Sequence, residues 1–231
     1  PVARCLSIFL PNGQDNHIKP EAWIAFFEYV QGFESAAKKM LLSAEEFLRQ
    51  NGAEIIIAPK SDNQLVGLLT AGFDLPHLAF TNHNPEYYFD FLHSCGYQPK
   101  TKMVTYFFTR STTKGFTLNS RLIKTREFDR DNLDYEIEIF HALQSKIFEH
   151  RPGYIPRTFD EDKQMVQSFL PFLNDKFIII AETRQGEPVG LVVCIPDIYQ
   201  QSSEGKINRT RIITIGAIPE YQNKGVGVLM G

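Results

Sequence analysis

Residues 211–231 read Arg-Ile-Ile-Thr-Ile-Gly-Ala-Ile-Pro-Glu-Tyr-Gln-Asn-Lys-Gly-Val-Gly-Val-Leu-Met-Gly, and this stretch decides the fold of the chain around it. Its first part, Ile212–Ile218, is rich in β-branched residues and predicts a strand. Pro219 ends that strand because proline has no N–H to donate to a ladder. A polar turn follows, and residues 228–230 predict the first turn of a helix. The stretch therefore predicts a strand, a loop and a helix in succession.

The loop between that strand and that helix has the composition of an anion-binding site. Unpaired backbone N–H groups and the helix dipole favour negative charge at such a junction. Gly225 and Gly227 can take positive φ and bring the backbone close to a phosphate. The spacing excludes a Rossmann fingerprint, which needs its first glycine at the strand end, and a Walker loop, which needs Gly-Lys-Ser/Thr. An ordinary strand–turn–helix with convenient glycines remains the alternative.

The spacing of Gln222, Gly225 and Gly227 after a strand that ends in Ile-Pro resembles the acyl-CoA pyrophosphate loop of the GNAT (GCN5-related N-acetyltransferase) superfamily. The pattern of that loop is Gln/Arg-x-x-Gly-x-Gly/Ala, and all three defining positions match. The resemblance implies that Ala217 and Ile218 offer strand backbone to the pantetheine arm of acetyl-CoA. It also implies that the pyrophosphate is held by Gln222, Asn223, Lys224, Gly225, Val226, Gly227 and Val228.

The composition is that of a soluble globular protein with a net charge of −3. This balance argues against a nucleic-acid or membrane-surface partner, because such partners need clustered Lys and Arg. No apolar run reaches the ~18 residues of a membrane span. Three cysteines lie far apart in the sequence, which favours free thiols in a reducing compartment. We therefore expect a cytoplasmic protein.

The chain has no initiator Met and stops one turn into the helix that follows the glycine loop. A helix of about one turn is not stable by itself. We therefore expect the sequence to be a fragment.

The two halves of the chain have different element orders. The first half predicts β-β-α-β-α-β, with its clearest helix from Glu34 to Asn51 and its last strand at residues 101–110. The second half predicts β-α-α-β-β-β followed by the glycine loop and a helix. A linker rich in Ser, Thr and Gly, residues 111–120, separates a domain at residues 1–110 from a domain at residues 121–231.

These orders resemble the later part and the earlier part of a GNAT domain, respectively. The resemblance implies an α/β protein of two GNAT-like units, whose mixed, mostly antiparallel and twisted sheets are flanked by helices. The first unit would lack its beginning and the second its end. More narrowly, motifs such as Gly67-Leu-Leu, Asn84-Pro85 and Cys194-Ile-Pro-Asp resemble a bacterial group of two-unit GNAT-like proteins, and this match brings no defined substrate.

The first unit departs from the family pattern at its own phosphate loop. Residues 31–35 read Gln-Gly-Phe-Glu-Ser, which lacks Gly-x-Gly and places Glu34 where a pyrophosphate would arrive. A carboxylate there opposes an anion, so we expect the first unit to be a structural partner that binds no CoA. The first unit also has Leu92 near the place where GNAT enzymes often carry a tyrosine acid. In the second unit, Ile213 or Thr214 occupies the strand position that often holds a glutamate base.

Three residues are candidates for handling an amine acceptor. His150 and Tyr154 lie in the loop that covers the acceptor site in GNAT enzymes, and His150 could accept the amine proton. Asp197 follows a strand and could hold a cationic acceptor. Two of them have simpler alternatives. His150 could be a surface histidine at a helix end, and Asp197 could be a turn aspartate. The histidines lack metal-ligand spacing, so we predict no metal site.

The resemblance implies acyl transfer, with acetyl as the expected group, from acetyl-CoA to the amine of a small molecule or protein. The alternatives are a non-catalytic CoA-binding or regulatory module and an aminoacyl-transfer enzyme on a tandem GNAT-like fold. The sequence identifies neither the acceptor nor the oligomeric state.

Overall fold

The structure is a computed structural model that describes residues 1–9, 20–60, 67–108, 122–151, 154–200 and 205–230. The chain divides into two compact units, residues 1–104 and 105–231. The predicted linker at residues 111–120 lies outside the described residues, and the two units are treated separately below.

Within its described residues, the first unit contains a three-stranded mixed sheet and two helices. Its elements are β1 (Ala3–Phe9), β2 (Glu21–Tyr29), α1 (Glu34–Gln50), β3 (Ile55–Lys60) and α2 (Tyr87–Ser94). β2 lies in the centre of the sheet, antiparallel to β1 and parallel to β3. α1 buries Ala37, Leu41, Ala44 and Leu48 in a core that also contains aromatic side chains of β2 and α2. The spacing of those four residues follows the helical period that the sequence shows.

The second unit contains a four-stranded antiparallel sheet with helices on both faces. Its elements are β4 (Ile123–Glu127), α3 (Leu133–Phe148), α4 (Phe159–Phe169), β5 (Ile178–Thr183), β6 (Pro188–Pro196), β7 (Thr210–Ala217) and α5 (Val226–Met230). Ile178 and Ile180 of β5 pack in the core under α3, whereas Ala181 packs in the core that contains α5. Because strand side chains alternate between faces, α3 and α5 cover opposite faces of the sheet.

The predicted fold class, α/β with mixed and mostly antiparallel sheets flanked by helices, is confirmed. The predicted strand at residues 101–110 is wrong over residues 101–108, which have no regular secondary structure, and the remaining two residues lie outside the described ranges. Met103, Tyr106 and Phe108 are 63%, 73% and 75% exposed there. Residues that favour strands form one only where a neighbouring strand is available for pairing. No described strand pairs with this segment.

The pair Asn84-Pro85 predicts a helix with Asn84 as its N-cap and Pro85 as its first residue. In the structure α2 begins at Tyr87, two residues after Pro85. The Asn84 side chain accepts a hydrogen bond from the Leu69 N–H at 2.7 Å and donates to the Leu69 carbonyl at 3.2 Å. Asn84 therefore fixes a distant loop instead of capping the helix.

Candidate functional site

Two glycines in the second sheet let helices approach β6 and β7 from opposite faces. A Cβ placed on Gly216 of β7 would lie 2.4 Å from Cγ2 of Ile147, which belongs to α3. A Cβ on Gly190 of β6 would lie 2.9 Å from Cγ1 of Val226, the first residue of α5. Gly190 and Ala217 are partners in the β6–β7 ladder. The end of β7 is therefore fixed between α3 on one side and α5 on the other.

The loop after β7 turns sharply because two of its residues have left-handed backbone conformations. A 3₁₀ turn spans Pro219–Tyr221, and then Asn223 has φ 59° and Gly225 has φ 78°. The side-chain amide of Gln222 donates to the Ala217 carbonyl at 3.1 Å, which ties the loop back to the strand end. The Lys224 ammonium lies 5.0 Å from the centroid of the Tyr221 ring. The glycine at position 225 is thus required by the turn itself.

The strand end and the loop surround an open cavity of about 430 Å³. Its lining residues are Gly216, Ala217, Tyr221, Gln222, Asn223, Gly225, Val226, Gly227 and Val228. Ile218 and Lys224 are the two predicted cofactor-binding residues that do not line it. Gly216 and Tyr221 line it without having been predicted, since neither belongs to the glycine spacing that identified the loop.

The loop that borders this cavity contains backbone hydrogen-bond donors that have no acceptor among the described residues. Among the described residues, the N–H groups of residues 223–227 have no acceptor, and the next two N–H groups both donate to the Gly225 carbonyl. None of the nine lining residues is acidic. Successive N–H groups in a turn with left-handed residues form a concavity that favours an anion. A phosphate group is the ligand that this arrangement suits.

The polar backbone groups at the strand end are partly engaged. The Ile218 N–H donates to the Val189 carbonyl at 3.0 Å, and the Ile218 carbonyl accepts from the Tyr221 N–H at 2.9 Å. If the Ile218 N–H were to donate to the carbonyl oxygen of a bound thioester, its hydrogen bond to the Val189 carbonyl would first have to break. Similarly, a pantetheine amide that bonds the Ala217 carbonyl would share it with the Gln222 side chain.

His150 and Tyr154 follow the C-terminal end of α3. The His150 side chain is 84% exposed, and its Nε2 lies 3.3 Å from Oε1 of Glu149. The Tyr154 ring packs against Phe148, with the ring centroids 6.1 Å apart. The roles predicted for both residues stay predictions, because exposure at a helix end fits a surface histidine as well.

Asp197 directly follows β6 and is 2% exposed. Its N–H donates to the Arg209 carbonyl, and its own carbonyl accepts from the Gln200 N–H. Burial lowers the pKa of the Arg211 guanidinium, and the negative charge of Asp197 opposes that change. A cationic acceptor at Asp197, as predicted from the sequence, would therefore compete with an internal cation.

The sequence analysis missed two buried charge clusters in the second unit. In the first, the Arg126 guanidinium of β4 bonds Glu136 of α3 at 2.6 Å and Glu182 of β5 at 2.5 Å. Burial raises the pKa of Glu136, although Arg126 acts in the opposite direction. In the second, Asp162 of α4 pairs with His141 of α3, with Nδ1 and Oδ2 2.7 Å apart. The first cluster joins β4, α3 and β5, and the second joins α3 and α4.

Side chains of the first unit bond to backbone groups around the junction between β2 and α1. The Gly32 N–H, in the loop between β2 and α1, donates to Oε1 of Glu34 at 2.9 Å. The hydroxyl groups of Tyr87 and Tyr88 bond the backbone of Tyr29 at the end of β2, at 3.0 Å in each case. The prediction that Glu34 opposes a phosphate is consistent with this position and remains a prediction.

Two searches of the described residues concern other site classes. No group of three or more His, Cys, Asp or Glu side chains is arranged to hold a metal ion within those residues. In the same ranges, no helix combines the length and the apolarity that crossing a bilayer requires.

Comparison with known proteins finds distant relatives. No protein-family model matches the chain. The chain is 24% identical to the bacterial ceramide synthase of Caulobacter vibrioides over 176 residues, which cover 71% of this chain and 45% of that protein. It is 26% identical to protein YghO of Escherichia coli over 167 residues, which cover 68% of this chain and 43% of that protein. The chain thus spans less than half the length of these curated relatives.

Among solved structures, the chain is similar to a GCN5-related N-acetyltransferase from Sphaerobacter thermophilus. The identity is 13% and the TM-score 0.46, and the match covers 99% of this chain and 61% of that one. Several of the matching structures are GNAT acetyltransferases.

Proposed function

We propose that the protein is an acyl-CoA-dependent N-acyltransferase whose donor site is the cavity after β7. The observation that carries the proposal is the run of N–H groups at residues 223–227, which have no acceptor among the described residues and belong to a loop whose cavity has no acidic lining residue. The pyrophosphate of CoA carries the charge and the acceptor oxygens that such a loop binds. The glycine spacing and the GNAT resemblance support the same donor.

In this proposal the protein contributes mainly by alignment. The loop holds the pyrophosphate, and the strand end at Gly216 and Ala217 directs the pantetheine arm along β7. Holding the thioester and an amine in contact makes the attack effectively unimolecular, which is worth up to ~7–11 kcal/mol. The nitrogen attacks the thioester carbonyl, an amide forms, and CoA leaves as its thiol.

The attacking amine must lose a proton, and His150 is the proposed acceptor. Its ring is exposed to solvent. Tyr154 and Asp197 are proposed to contact the acceptor, Asp197 by sharing its charge between Arg211 and the substrate ammonium.

A second candidate changes the acyl group and the acceptor. The match over 71% of this chain to a protein named bacterial ceramide synthase favours a long-chain acyl donor and a long-chain amino alcohol. A ceramide contains the amide that acylation of such an amine produces, so the reaction class is unchanged. The two candidates differ in the length of the acyl group and in the acceptor amine.

One experiment tests both candidates. The full-length protein is incubated with acetyl-CoA or palmitoyl-CoA and with either a panel of small amines or sphinganine, and release of the CoA thiol is measured. Activity with acetyl-CoA and small amines supports the first candidate, and activity confined to palmitoyl-CoA with sphinganine supports the second. Tight binding of both acyl-CoA esters without thiol release would instead indicate a CoA-binding or regulatory module.

A further inference from the structure

A second open cavity lies in the first unit, where the end of β2 meets α1 and α2. Its volume is about 390 Å³. The lining residues are Tyr29, Glu34, Ser35, Lys38, Tyr87, Asp90, Phe91 and Ser94. All of them belong to the first unit. None lines the cavity after β7 that is proposed to bind acyl-CoA, which is called the acyl-CoA cradle below.

The floor of this cavity is aromatic. Tyr29 and Phe91 are buried, and their ring centroids lie 4.5 Å apart. The Tyr87 ring meets Tyr29 edge-on at 5.1 Å, and its hydroxyl donates to the Tyr29 carbonyl at 3.0 Å. Burial raises the pKa of Tyr29 to about 12, so this hydroxyl keeps its proton at neutral pH. Tyr29 and Phe91 are largely covered by their neighbours, whereas Tyr87 is partly exposed and offers ring surface to an apolar group or to a cation.

The rim of the cavity carries charges of both signs. Glu34 is held in place by the Gly32 N–H, and this hydrogen bond keeps its pKa below the ordinary value. Lys38 lies one helical turn further along α1, and Asp90 lies on α2. Among the described residues, neither Lys38 nor Asp90 has an ion-pair or hydrogen-bond partner. An ammonium and a carboxylate in one cavity are thus both open to a ligand.

We propose that this cavity binds a small zwitterion, namely a free α-amino acid with an apolar side chain. The ligand ammonium contacts Asp90 and Glu34 beside the aromatic rings, and the ligand carboxylate contacts Lys38. The apolar side chain packs against the partly exposed Tyr87 ring. A cavity with an aromatic floor and a few convergent polar groups is a typical small-molecule site. Glu34 and Asp90 exclude a purely anionic ligand such as a phosphate.

Calorimetry on the full-length protein tests this proposal with L-phenylalanine and two truncated analogues. Phenethylamine lacks the carboxylate, and 3-phenylpropionate lacks the ammonium. The unmodified protein should bind L-phenylalanine at least ~10-fold more tightly than either analogue, since each charge pair contributes ~1.4 kcal/mol or more.

Two variants assign the two charged contacts. Lys38→Gln should remove the preference over phenethylamine, and Asp90→Asn should remove the preference over 3-phenylpropionate. Both side chains are exposed, so neither change endangers the fold. Lys39→Gln, at the exposed neighbouring position outside the cavity lining, is the matched control and should bind all three probes like the unmodified protein.

The proposal is overturned if the unmodified protein does not bind L-phenylalanine at concentrations up to ~10 mM. It is also overturned if Lys38→Gln and Asp90→Asn leave both preferences as they are. Because the acyl-CoA cradle is untouched by these variants, acyl-CoA titration of the same samples reports separately on the proposed function.

Discussion

Replacement of Gly227 by aspartate places a negative charge at the proposed cradle with little cost to the fold. A Cβ at position 227 meets no heavy atom within 4 Å, and the backbone there is not among the positive-φ glycines. The change should therefore leave the free energy of unfolding within about 0.5 kcal/mol. Any loss of acyl-CoA affinity then reports the added charge.

The expected loss follows from Coulomb's law. Two unit charges about 6 Å apart attract or repel by about 3 kcal/mol at an effective dielectric constant of about 20. Dissolved salt reduces this value about twofold at a Debye length of about 8 Å. We expect at least ~1.4 kcal/mol, which is a tenfold weaker affinity.

Isothermal titration of the full-length protein with acetyl-CoA and palmitoyl-CoA measures this affinity. Gly227→Asn adds the same shape without the charge and should lose much less affinity than Gly227→Asp. The loss in Gly227→Asp should also shrink as salt is raised. Equal affinities in the unmodified protein and Gly227→Asp would refute the placement of the pyrophosphate.

Three further predictions concern stoichiometry, catalysis and pH. Titration should give one acyl-CoA per chain, because Glu34 occupies the Gly32 N–H in the first unit; two per chain would show that this unit also binds CoA. His150→Ala should lower turnover by ~10²-fold with acyl-CoA affinity nearly unchanged, whereas His93→Ala, in the first unit, should not; full activity in His150→Ala would make His150 a surface residue. Burial raises the pKa of Glu136, so the folded state keeps this proton at pH values where the unfolded chain has released it. The contribution of this carboxyl to the free energy of unfolding is therefore fully present below its ordinary pKa and declines as pH rises through the raised value. Glu136→Gln should remove that decline, so chemical denaturation at pH 4 and pH 7 should show the variant gaining stability relative to the unmodified protein at the higher pH; a difference independent of pH would contradict the inference.

Local features of the structure could be predicted from the sequence. The apolar period of α1 identifies its buried residues, because neighbours at i, i+3 and i+4 share one helix face. The glycine loop could also be predicted, because its conformation depends on residues that are close together in the sequence. Its turn depends on Gly225 and on Asn223, a residue type that tolerates the left-handed region.

Features that depend on distant partners could not be predicted. The Arg126 hydrogen bonds to Glu136 and Glu182 span 10 and 56 residues of sequence, and no periodic pattern in the sequence indicates these pairs. The segment at residues 101–108 shows the reverse case, since its composition favours a strand but no described strand pairs with it. In the cavity lining, Tyr221 lies outside the glycine spacing and has no sequence signal of its own.

Because Gly216 and Ile147 are in close contact, the side-chain size that fits at one position depends on the residue at the other. A methyl group at position 216 would overlap Cγ2 of Ile147, so it requires a shorter side chain at position 147 or an outward shift of α3. Homologous chains that carry alanine at position 216 should therefore carry a smaller residue at position 147. Since α3 leads into the segment with His150, the volume at position 216 also sets how far that segment stands from the strand that would receive the thioester.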